Sequence, residues 1–494
     1  MSMNNRTFSK IEIENILKNV VGKTLGQVDK NNVFEKTKIH PKITGIAGDV
    51  IEQSVFEYKA DSNQEPDLLV DNLKVELKTT GLKRVRKQKD NGHTIEAKEP
   101  MSITAVSPDK IVNEIFSDSN LWHKLERMLL VYYLYDSNTT VTASEYANFP
   151  IQGFQFHEFN GQDAKIIEND WRIVRDFIIN LKETLDDPTA EYPKISQLRD
   201  KMLYMDTAPK YPNPPRFRLK RQVVSTIAQE HFGNGFVILE KQRQFTSYDE
   251  LDTILHDFTE MYKGKSVMEI ANQIGLTLTY RNGVVDKKIN EQILTSAFGV
   301  TSGKLRSIDT FAKIGTIPKT LTLTKDGGRT EDTKFDTIDF TEWSNPDITF
   351  EESSIYVFFA NQTLLFSIFE EIDQNSKLEL NLFKGFKRLN FDEDFINTHV
   401  KKVWDDVRNL LFSNTFKVTQ VLDKNGELII NKKTGTIREK TNFPKAKDNV
   451  IFLRGTGQDS TTKTLNLMGH KLYQQQYWIK GSVLVEMLSK KDYI

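Results

Sequence analysis

Residues 66–80 have the sequence PDLLVDNLKVELKTT, which predicts two short β-strands joined by a tight turn at Asp71-Asn72. From position 73 onward apolar and charged residues alternate, which places the charged residues on one side of the sheet. Glu76 and Lys78 therefore lie side by side, and the turn carries Asp67 back toward them. We expect two carboxylates and a lysine to converge at a strand end.

These residue types are the ones that hydrolysis of a phosphodiester requires. Carboxylates bind Mg²⁺, the metal stabilises charge on the phosphorane and lowers the pKa of its water, and a lysine orients that water. Like charges brought together without a cation would raise a carboxylate pKa. One further acid, Glu52, lies in the sequence GDVIE of residues 48–52, which predicts a helix before the first strand. The pattern therefore favours a metal-dependent nuclease site.

The Glu-x-Lys spacing is not sufficient by itself. It recurs at residues 57–59 and 96–98, where the surrounding residues indicate only solvated charge. The copy at residues 76–78 differs in the Pro-Asp upstream, in the alternation of a buried strand and in the additional acid Glu52. A salt-bridged strand face without a catalytic role explains the same residues, and the spacing alone does not separate the two interpretations.

The composition excludes several other kinds of site. The chain has 494 residues, no cysteine, eight histidines and a formal net charge of −1. The lack of cysteine excludes disulfides, thiolate zinc sites, iron–sulfur clusters and cysteine nucleophiles, and the scattered histidines do not predict a metal site. The charge excludes a histone-like polycation but not local basic patches. Because the sequence shows no signal-peptide pattern and no apolar run that would span a bilayer, we expect a soluble, cytoplasmic protein with no membrane partner.

Together with segments on both sides, these residues resemble the PD-(D/E)xK nucleases, and within them the MutH/Sau-3AI family of mismatch-repair nickases and GATC-cutting restriction endonucleases. Asp67, Glu76 and Lys78 fit the D…E-x-K of the family. The other similar segments occur in the order of the family at residues 22–26, 48–52, 123–127, 169–171 and 215–220. The resemblance spans residues 8–232. It departs in the spacing from Asp67 to Glu76, which is 76 − 67 = 9 residues and longer than in the nickase.

The resemblance implies a mixed α/β fold with a metal-dependent active site. The catalytic residues that it implies are Glu52, Asp67, Glu76, Lys78 and Lys124. It also implies Mg²⁺ as the cofactor, and the implied metal ligands are Glu52, Asp67, Glu76 and Leu77. Lys124 belongs to the HKLER sequence of residues 123–127, whose lysine lies at the active site in the family.

The second half of the chain repeats the same order of elements weakly. Similar segments pair residues 264–267 with 22–25, residues 403–405 with the helix around Trp171, and residues 477–480 with 217–220. In this copy Ile317 occupies the place of the essential glutamate and Thr295 that of the helix glutamate. Asp309 and Lys319 are the remaining correspondences. One carboxylate does not replace three around a hard cation, so we expect the second copy to be catalytically silent.

We therefore predict tandem restriction-endonuclease-like domains, each a central mixed sheet flanked by helices. Residues 1–240 would form the catalytic domain, and residues 245–494 a pseudo-nuclease domain that binds DNA or acts as an effector. An active first domain with a degenerate second resembles the two-domain GATC restriction enzymes rather than the single-domain nickase. A second domain that is only a scaffold is the alternative.

Two basic windows predict where DNA lies, because phosphate contacts dominate its affinity. Residues 78–89 and 207–222 each contain several lysines and arginines and no acid, although a solvated face is the ordinary alternative for a charge run. In the second domain Arg454 occupies the position of the base-reading loop of the family, and arginine is the commonest partner of guanine. The predicted DNA-binding residues are Lys83, Arg84, Arg86, Lys210, Arg216, Arg218, Lys220, Arg454 and Lys480.

The leading hypothesis is a type II restriction endonuclease that cuts double-stranded DNA at GATC with Mg²⁺, and the GATC specificity is implied by the resemblance alone. A repair nickase of the same family and a non-catalytic DNA-binding regulator are the alternatives. The intact set of Asp67, Glu76 and Lys78 argues against the regulator. The expected partners are duplex DNA, a second copy of the chain brought together on DNA, and a cognate DNA methyltransferase in the same host.

Overall fold

The computed structural model describes most of the chain. The described residues are 6–41, 43, 45–58, 65–86, 93–137, 141–209, 212–329, 331–374, 376–431, 434–457 and 462–494, with Arg86 and His93 described by their backbone alone. They form two compact units. The first unit comprises the described residues of Met1–Ser137, Val141–Ile254 and Thr295–Thr316, and the second unit those of Leu255–Leu294 and Ile317–Ile494.

Strands occur throughout both units. In chain order they are β1 (Thr7–Phe8), β2 (Leu68–Val70), β3 (Leu73–Arg86), β4 (His93–Ala97), β5 (Met101–Ala105), β6 (Arg127–Leu134), β7 (Ile151–Glu158), β8 (Met205–Ala208), β9 (Arg216–Leu219), β10 (Tyr280–Arg281), β11 (Val284–Val285), β12 (Ile317–Leu323), β13 (Thr333–Thr337), β14 (Leu364–Glu370), β15 (Leu382–Leu389), β16 (Val418–Gln420), β17 (Glu439–Thr441), β18 (Ile451–Gly455), β19 (Leu465–Leu467), β20 (His470–Leu472) and β21 (Gln475–Ile479).

Helices lie between the strands. The α-helices are α1 (Lys10–Lys18), α2 (Leu25–Val28), α3 (Lys36–Ile39), α4 (Ile46–Val50), α5 (Pro108–Ile111), α6 (Asn120–Leu125), α7 (Gly161–Thr184), α8 (Arg221–His231), α9 (Tyr248–Tyr262), α10 (Val267–Gln273), α11 (Lys288–Ser296), α12 (Asp309–Ile314), α13 (Phe340–Trp343), α14 (Ser354–Asn361), α15 (Glu393–Phe395), α16 (Lys401–Phe412) and α17 (Gly481–Ser489). Single π-helical turns continue α4 over Ile51–Val55 and α15 over Ile396–Val400. The 3₁₀ segments are Val33–Glu35, Phe116–Asp118, Ala143–Asn148, Thr189–Asp200, Lys241–Arg243, Leu305–Ser307 and Leu378–Leu380.

The first unit is built on a mixed sheet with the strand order β1-β2-β3-β6-β7, and β4 pairs with the far end of β3. The central strands β3 and β6 run parallel, whereas β2 and β7 lie antiparallel on either side of them. A second, antiparallel sheet has the order β5-β9-β8. Helices lie against these sheets, so the predicted mixed α/β class is confirmed.

The turn at Asp71-Asn72 sets the register of the two strands that carry the acids. Both turn residues have positive φ, 47° and 63°, as a two-residue hairpin turn of the type I′ class requires. The turn brings Leu68 opposite Val75, and Val75 and Leu77 are buried in a core that includes residues of α1, α2 and α4. The alternation of β3 thus presents its apolar side to these helices and its charged side to the opposite face.

The second unit repeats the strand pairings of the first. Parallel β12 and β14 with antiparallel β15 correspond to β3, β6 and β7, and the antiparallel sheet β13-β21-β18 corresponds to β5-β9-β8. Each of these second sheets leads directly into a helix, α8 in the first unit and α17 in the second. The same topology in two halves of one chain supports the predicted internal duplication.

The turns before α2 and α10 show the duplication at the level of single hydrogen bonds. In the first unit Gly22 donates its N–H to the carbonyl of Ile151, and the N–H of Ile151 donates to Lys23. In the second unit Gly264 and Phe383 make the same reciprocal pair, with Lys265 as the acceptor. Glycine is required at both turns because φ is 85° and 82°.

The segment Thr295–Thr316 belongs to the first unit, although it lies between two parts of the second unit in sequence. Within the first unit, Lys313 of α12 forms ion pairs of 2.7 Å with Asp163 and 2.8 Å with Asp309. The expected correspondence of Asp309 with Asp67 is therefore wrong, because Asp309 begins a helix and neutralises Lys313 instead of flanking β12. The predicted domain limits at residues 240 and 245 do not include this return of the chain, and the two-domain boundary stays a prediction.

Among the residues that the structure describes, no helix is both long enough and apolar enough to cross a membrane.

Candidate active site

Glu76 lies near the start of β3, and its residue is completely buried. The register pairs Glu76 with Met128 of β6, and Met128 in turn with His157 of β7. An ionised carboxylate at such a position is stable only when charged or polar groups compensate it. The surroundings of Glu76 supply two such groups.

Two lysines hold the Glu76 carboxylate. Lys78, two residues along the same strand, donates from Nζ to Oε1 at 2.6 Å. Lys124, near the end of α6, donates from Nζ to Oε1 at 2.9 Å and to Oε2 at 3.0 Å. The side chain of Lys124 is 11% exposed and that of Lys78 is 23% exposed. The structure thus brings three of the predicted site residues together, and Lys78 is the more accessible of the two lysines.

Asp67 precedes β2 and faces β3 across the hairpin. Its Oδ2 accepts a 3.0 Å hydrogen bond from the backbone N–H of Leu77. Burial raises the pKa of Asp67, the charge of Glu76 raises it further, and Lys78 lowers it. Asp67 is therefore within electrostatic range of the Glu76 and Lys78 pair, as the hairpin interpretation predicted. Leu77, a predicted metal ligand, lies between them on β3.

Glu52 lies in the π-helical turn that continues α4. Single π-turns inside helices occur frequently at functional sites, because the extra residue redirects the side chains. Burial raises the pKa of Glu52 to about 7, and the charges of Asp67 and Asp49 add to this effect. The dependence on Asp67 shows that the helix carries Glu52 toward the same cluster.

Tyr58 is a further residue of this site that the sequence did not identify. It is buried, and burial raises its pKa above the usual range, with Glu52 and Asp67 as the next causes. Its phenol oxygen has no hydrogen-bond partner among the described residues, and the guanidinium of Arg6 lies 4.6 Å from the ring centre. Tyr58 belongs to the Glu57-Tyr58-Lys59 copy of the Glu-x-Lys pattern, which the sequence analysis interpreted as solvated charge.

The donor atoms of this cluster fit a hard divalent cation in kind. The charge of Glu76 raises the pKa of Asp67, and the charge of Asp67 raises the pKa of Glu52, so the three carboxylates are neighbours. Carboxylate oxygens are the ligands that Mg²⁺ prefers. A cation among them would relieve the repulsion that now raises two of the pKa values. Within the described part of the chain, no group of three or more His, Cys, Asp or Glu side chains is gathered at metal-binding spacing. The metal ligands therefore stay a prediction.

The predicted DNA-binding residues of the first unit have different surroundings. Lys83 and Arg84 on β3 and Arg216 on β9 are exposed. Arg218 forms a two-pronged ion pair with Asp206 at 2.7 and 2.9 Å. The ammonium of Lys220 donates to the carbonyls of Arg199 and Met202. Of the other two predicted residues, the side chain of Arg86 and all of Lys210 lie outside the described residues.

The second copy that the sequence predicts has a different residue at each acidic position. Ile317 begins β12, where its partner Leu364 follows α14 as Met128 follows α6. Thr295 is fully buried on α11. Lys319, two residues after Ile317, is the equivalent of Lys78 and donates to the backbone carbonyl of Lys334 at 2.9 Å. The lysine of the Glu-x-Lys pattern is thus present without its glutamate.

Arg454 and Lys480 are the predicted DNA-binding residues of the second unit. The guanidinium of Arg454 bonds to Asp332 at 2.7 Å and lies 5.0 Å and 4.8 Å from the ring centres of Phe452 and Trp478. Lys480 precedes α17 at the position that Lys220 occupies before α8. Arg454 is therefore half-exposed and oriented by its neighbours.

Comparison with known proteins gives two similarities. Residues 56–170 match the family model described as the DNA mismatch repair enzyme MutH. This range contains Asp67, Glu76, Lys78 and Lys124. Over an alignment of 531 residues the chain is 24% identical to the type II restriction enzyme Sau3AI of Staphylococcus aureus, and the alignment covers 96% of this chain and 97% of that protein.

Proposed function

We propose that the chain, which is similar to the MutH family model over residues 56–170 and to the restriction enzyme Sau3AI over nearly its whole length, is a type II restriction endonuclease that hydrolyses double-stranded DNA at GATC in a Mg²⁺-dependent reaction. The observation that carries this proposal is the buried Glu76, held by Lys78 and Lys124 next to Asp67. A solvated strand face would not bury its acid completely. The similarity to a type II restriction enzyme extends over nearly the whole chain, which favours restriction over a single-domain nickase.

The two lysines have different roles in this proposal. Lys124 is the more buried one and contacts both oxygens of Glu76, so it fixes the orientation of that carboxylate. Lys78 makes one contact and is more exposed, so its ammonium can exchange Glu76 for a water or a phosphate oxygen. Glu52, Asp67, Glu76 and the backbone of Leu77 would hold the Mg²⁺. When bound, the metal stabilises charge on the phosphate and lowers the pKa of a water.

We further propose that the second unit binds DNA without cutting it. Ile317, which begins β12, provides no carboxylate, so the second unit lacks an oxygen ligand that a hard cation requires at this position. Arg454 lies on a strand of the second sheet with its guanidinium oriented, and a bidentate arginine contact to guanine contributes about 1–3 kcal/mol to base discrimination. The partners in this proposal are GATC-containing duplex DNA, a second copy of the chain on DNA, and a methyltransferase that protects the host.

A direct test incubates the purified chain with a supercoiled plasmid and Mg²⁺ and sequences the ends of the products. We expect linear fragments whose ends all lie at GATC, and no products in EDTA. Nicked circles as the only product would support the MutH-type nickase, which the family-model match over residues 56–170 also favours. Binding of the duplex without any cut in Mg²⁺ would contradict the proposal and leave the non-catalytic regulator.

A further inference from the structure

The second unit contains a cavity of about 520 Å³ beside strands β17 and β18. Its wall includes residues of the loop that joins these strands, among them Lys445 and Lys447, and residues of β18 itself. Leu453 donates its N–H to the carbonyl of Pro444 at 3.0 Å, and Asn449 donates to the carbonyl of Lys445 at 3.1 Å. The backbone that carries Lys445 is therefore fixed against β18.

The wall of this cavity is strongly basic. It contains one acidic side chain, Glu439, and the cationic side chains that line it are Arg438, Lys440, Lys445, Lys447, Arg454 and Lys463. Because cations crowded in a concave site repel one another and raise the local positive potential, such a cavity attracts an anion.

Some of these charges are already neutralised. Lys463 pairs with Glu439 at 2.6 Å, Arg454 with Asp332 at 2.7 Å, and Lys447 with Asp448 at 3.6 Å. The remaining three, Arg438, Lys440 and Lys445, form no ion pair with an acid of the described residues. An excess of three positive charges therefore faces one cavity.

Lys445 is the most constrained of the three. Its ammonium donates to Oγ1 of Thr441 at 3.1 Å. Burial lowers the pKa of Lys445, and the nearby charge of Arg454 lowers it further. An anion that accepts hydrogen bonds from the ammonium group would oppose this lowering of the pKa, because it stabilises the charged form.

Apart from Glu439, Thr441 and Gln475, the rest of the wall is apolar or aromatic. Phe452, Leu453 and Leu472 are buried, and Tyr473 also lines the cavity. A binding site with a few oriented charges on an otherwise apolar wall suits an organic ligand with one anionic end. A volume of about 520 Å³ accommodates a phosphate together with the sugar and base attached to it.

We propose that this cavity binds the phosphate group of a nucleotide through Arg438, Lys440 and Lys445. We take the phosphate to be one of a bound DNA strand, and this identification rests on the proposed DNA binding of the second unit. A free nucleotide or inorganic phosphate presents the same chemistry. The proposal does not depend on cleavage by the first unit.

Lysine acetylation, read by mass spectrometry at each lysine, tests this proposal on the full-length chain in EDTA, where DNA stays intact. The three arms add a short GATC duplex, inorganic phosphate at millimolar concentration, or deoxyadenosine monophosphate. We expect the duplex to slow acetylation of Lys445 and Lys440 by about tenfold, because the phosphate covers the amine and favours its protonated form. Lys471, an exposed lysine of the same unit outside the cavity wall, should change less than twofold.

The arms separate the two sources of phosphate. Protection by the duplex alone identifies the DNA backbone, and protection by phosphate or the mononucleotide identifies a free ligand. Equal acetylation rates of Lys445 in all arms and without ligand would overturn the proposal, and so would equal protection of Lys445 and Lys471. If the chain does not cut plasmid DNA, the endonuclease proposal fails, but the protection pattern still shows whether the cavity binds a phosphate.

Substitutions give a second, independent readout. Lys445→Ala should weaken duplex binding about tenfold and reduce the dependence of log K on log salt by about one unit, as expected for one lost phosphate contact. Lys445→Arg should restore most of the affinity, and Lys471→Ala should leave it unchanged. A Lys445→Ala chain with wild-type affinity, wild-type salt dependence and wild-type response to free phosphate would contradict the assignment.

Discussion

Glu76 is an acid in the interior of a strand, and two ammonium groups hold its carboxylate. Burying one charge without a partner costs several kcal/mol, and removing a single member of a buried pair costs about 3–5 kcal/mol. The presence of two lysines means that one remains with Glu76 when the other contacts a substrate. In the proposed mechanism Lys124 therefore keeps the carboxylate in place, and Lys78 is the lysine that contacts the substrate.

Lys78→Ala should reduce the rate of plasmid cleavage at least about 100-fold, because it removes the accessible ammonium that positions the nucleophile. Duplex binding in EDTA should change by less than about threefold, since phosphate contacts elsewhere dominate affinity. The matched control is Lys74→Ala on the same side of β3, whose lysine pairs with the exposed Glu65 at 3.0 Å. Equal cleavage rates for the two variants would contradict the assigned role of Lys78.

His157, two strands from Glu76 in register, predicts a pH dependence of stability. Burial lowers its pKa from 6.5 to about 4, and the charge of Lys313 lowers it further, while Asp163 opposes the shift. The unfolded chain therefore binds the proton more tightly, so the stabilisation is complete above pH 6.5 and is lost as pH falls toward 4. From pH 7 to pH 5 the free energy of unfolding should fall by about 2 kcal/mol more than in His157→Gln. Urea unfolding at the two pH values measures this difference, and identical losses would refute it.

At the scale of elements, the hairpin of β2 and β3 was predictable from sequence. The turn residues Asp71 and Asn72 tolerate positive φ, and the alternation after position 73 fixes which side of β3 is apolar. These local rules carry Asp67 to Glu76 without knowledge of the rest of the chain. The mixed α/β class followed from the same strands and the helices around them.

Other parts of the site were not predictable because they depend on contacts distant in sequence. Tyr58 is buried beside Glu52 and Asp67 only because α4 and the strands β2 and β3 pack into one core. Nothing local distinguishes its Glu-x-Lys pattern from solvated charge. The match of Asp309 with Asp67 was wrong, because a similar order of residues does not reveal that Lys313 takes Asp309 and Asp163 as partners.

The long helix α7 is attached to the strand β8 through Asp170. Its carboxylate accepts hydrogen bonds of 2.7 to 2.9 Å from the backbone N–H groups of Leu203, Tyr204 and Met205. Asp170→Asn should lower the free energy of unfolding by about 2–4 kcal/mol, because the amide NH₂ that replaces one carboxylate oxygen cannot accept a hydrogen bond from the backbone N–H groups. Chemical denaturation measures this loss. The control Asp176→Asn, an exposed position of the same helix, should change it by less than about 0.5 kcal/mol, and equal effects would contradict the attachment.

At the scale of the whole molecule, one chain contains two units with the same strand pairings and one set of carboxylates. The segment Thr295–Thr316 completes the first unit but follows the start of the second in sequence. Cutting the chain near residue 245 would therefore remove part of the first unit, so the roles of the two units are best tested by substitutions in the full-length protein.

A palindromic site has two equivalent strands, whereas this chain has one candidate catalytic centre. Two chains that meet on DNA, or occupancy of the second unit by another site, would each make cleavage depend on the number of sites. Plasmids with two GATC sites should be cut faster per site than plasmids with one, and a short GATC duplex should accelerate the slow substrate. Arg454→Ala should weaken this acceleration, while Lys490→Ala, at the exposed C-cap of α17, should not. Equal rates per site with no response to added duplex would show that the second unit is only a scaffold.

The most direct test of a single catalytic centre at Glu76 compares the wild-type chain with Glu76→Gln on a GATC-containing plasmid in Mg²⁺. The substitution keeps the size of the side chain and removes the negative charge, which forfeits several kcal/mol of transition-state stabilisation. Thermal melting and duplex binding in EDTA confirm that the variant is folded. The predicted result is a rate at least about 1000-fold lower with duplex binding retained, because the second unit supplies no cleavage of its own. Cleavage of the plasmid by a folded Glu76→Gln chain at the wild-type rate would contradict this account.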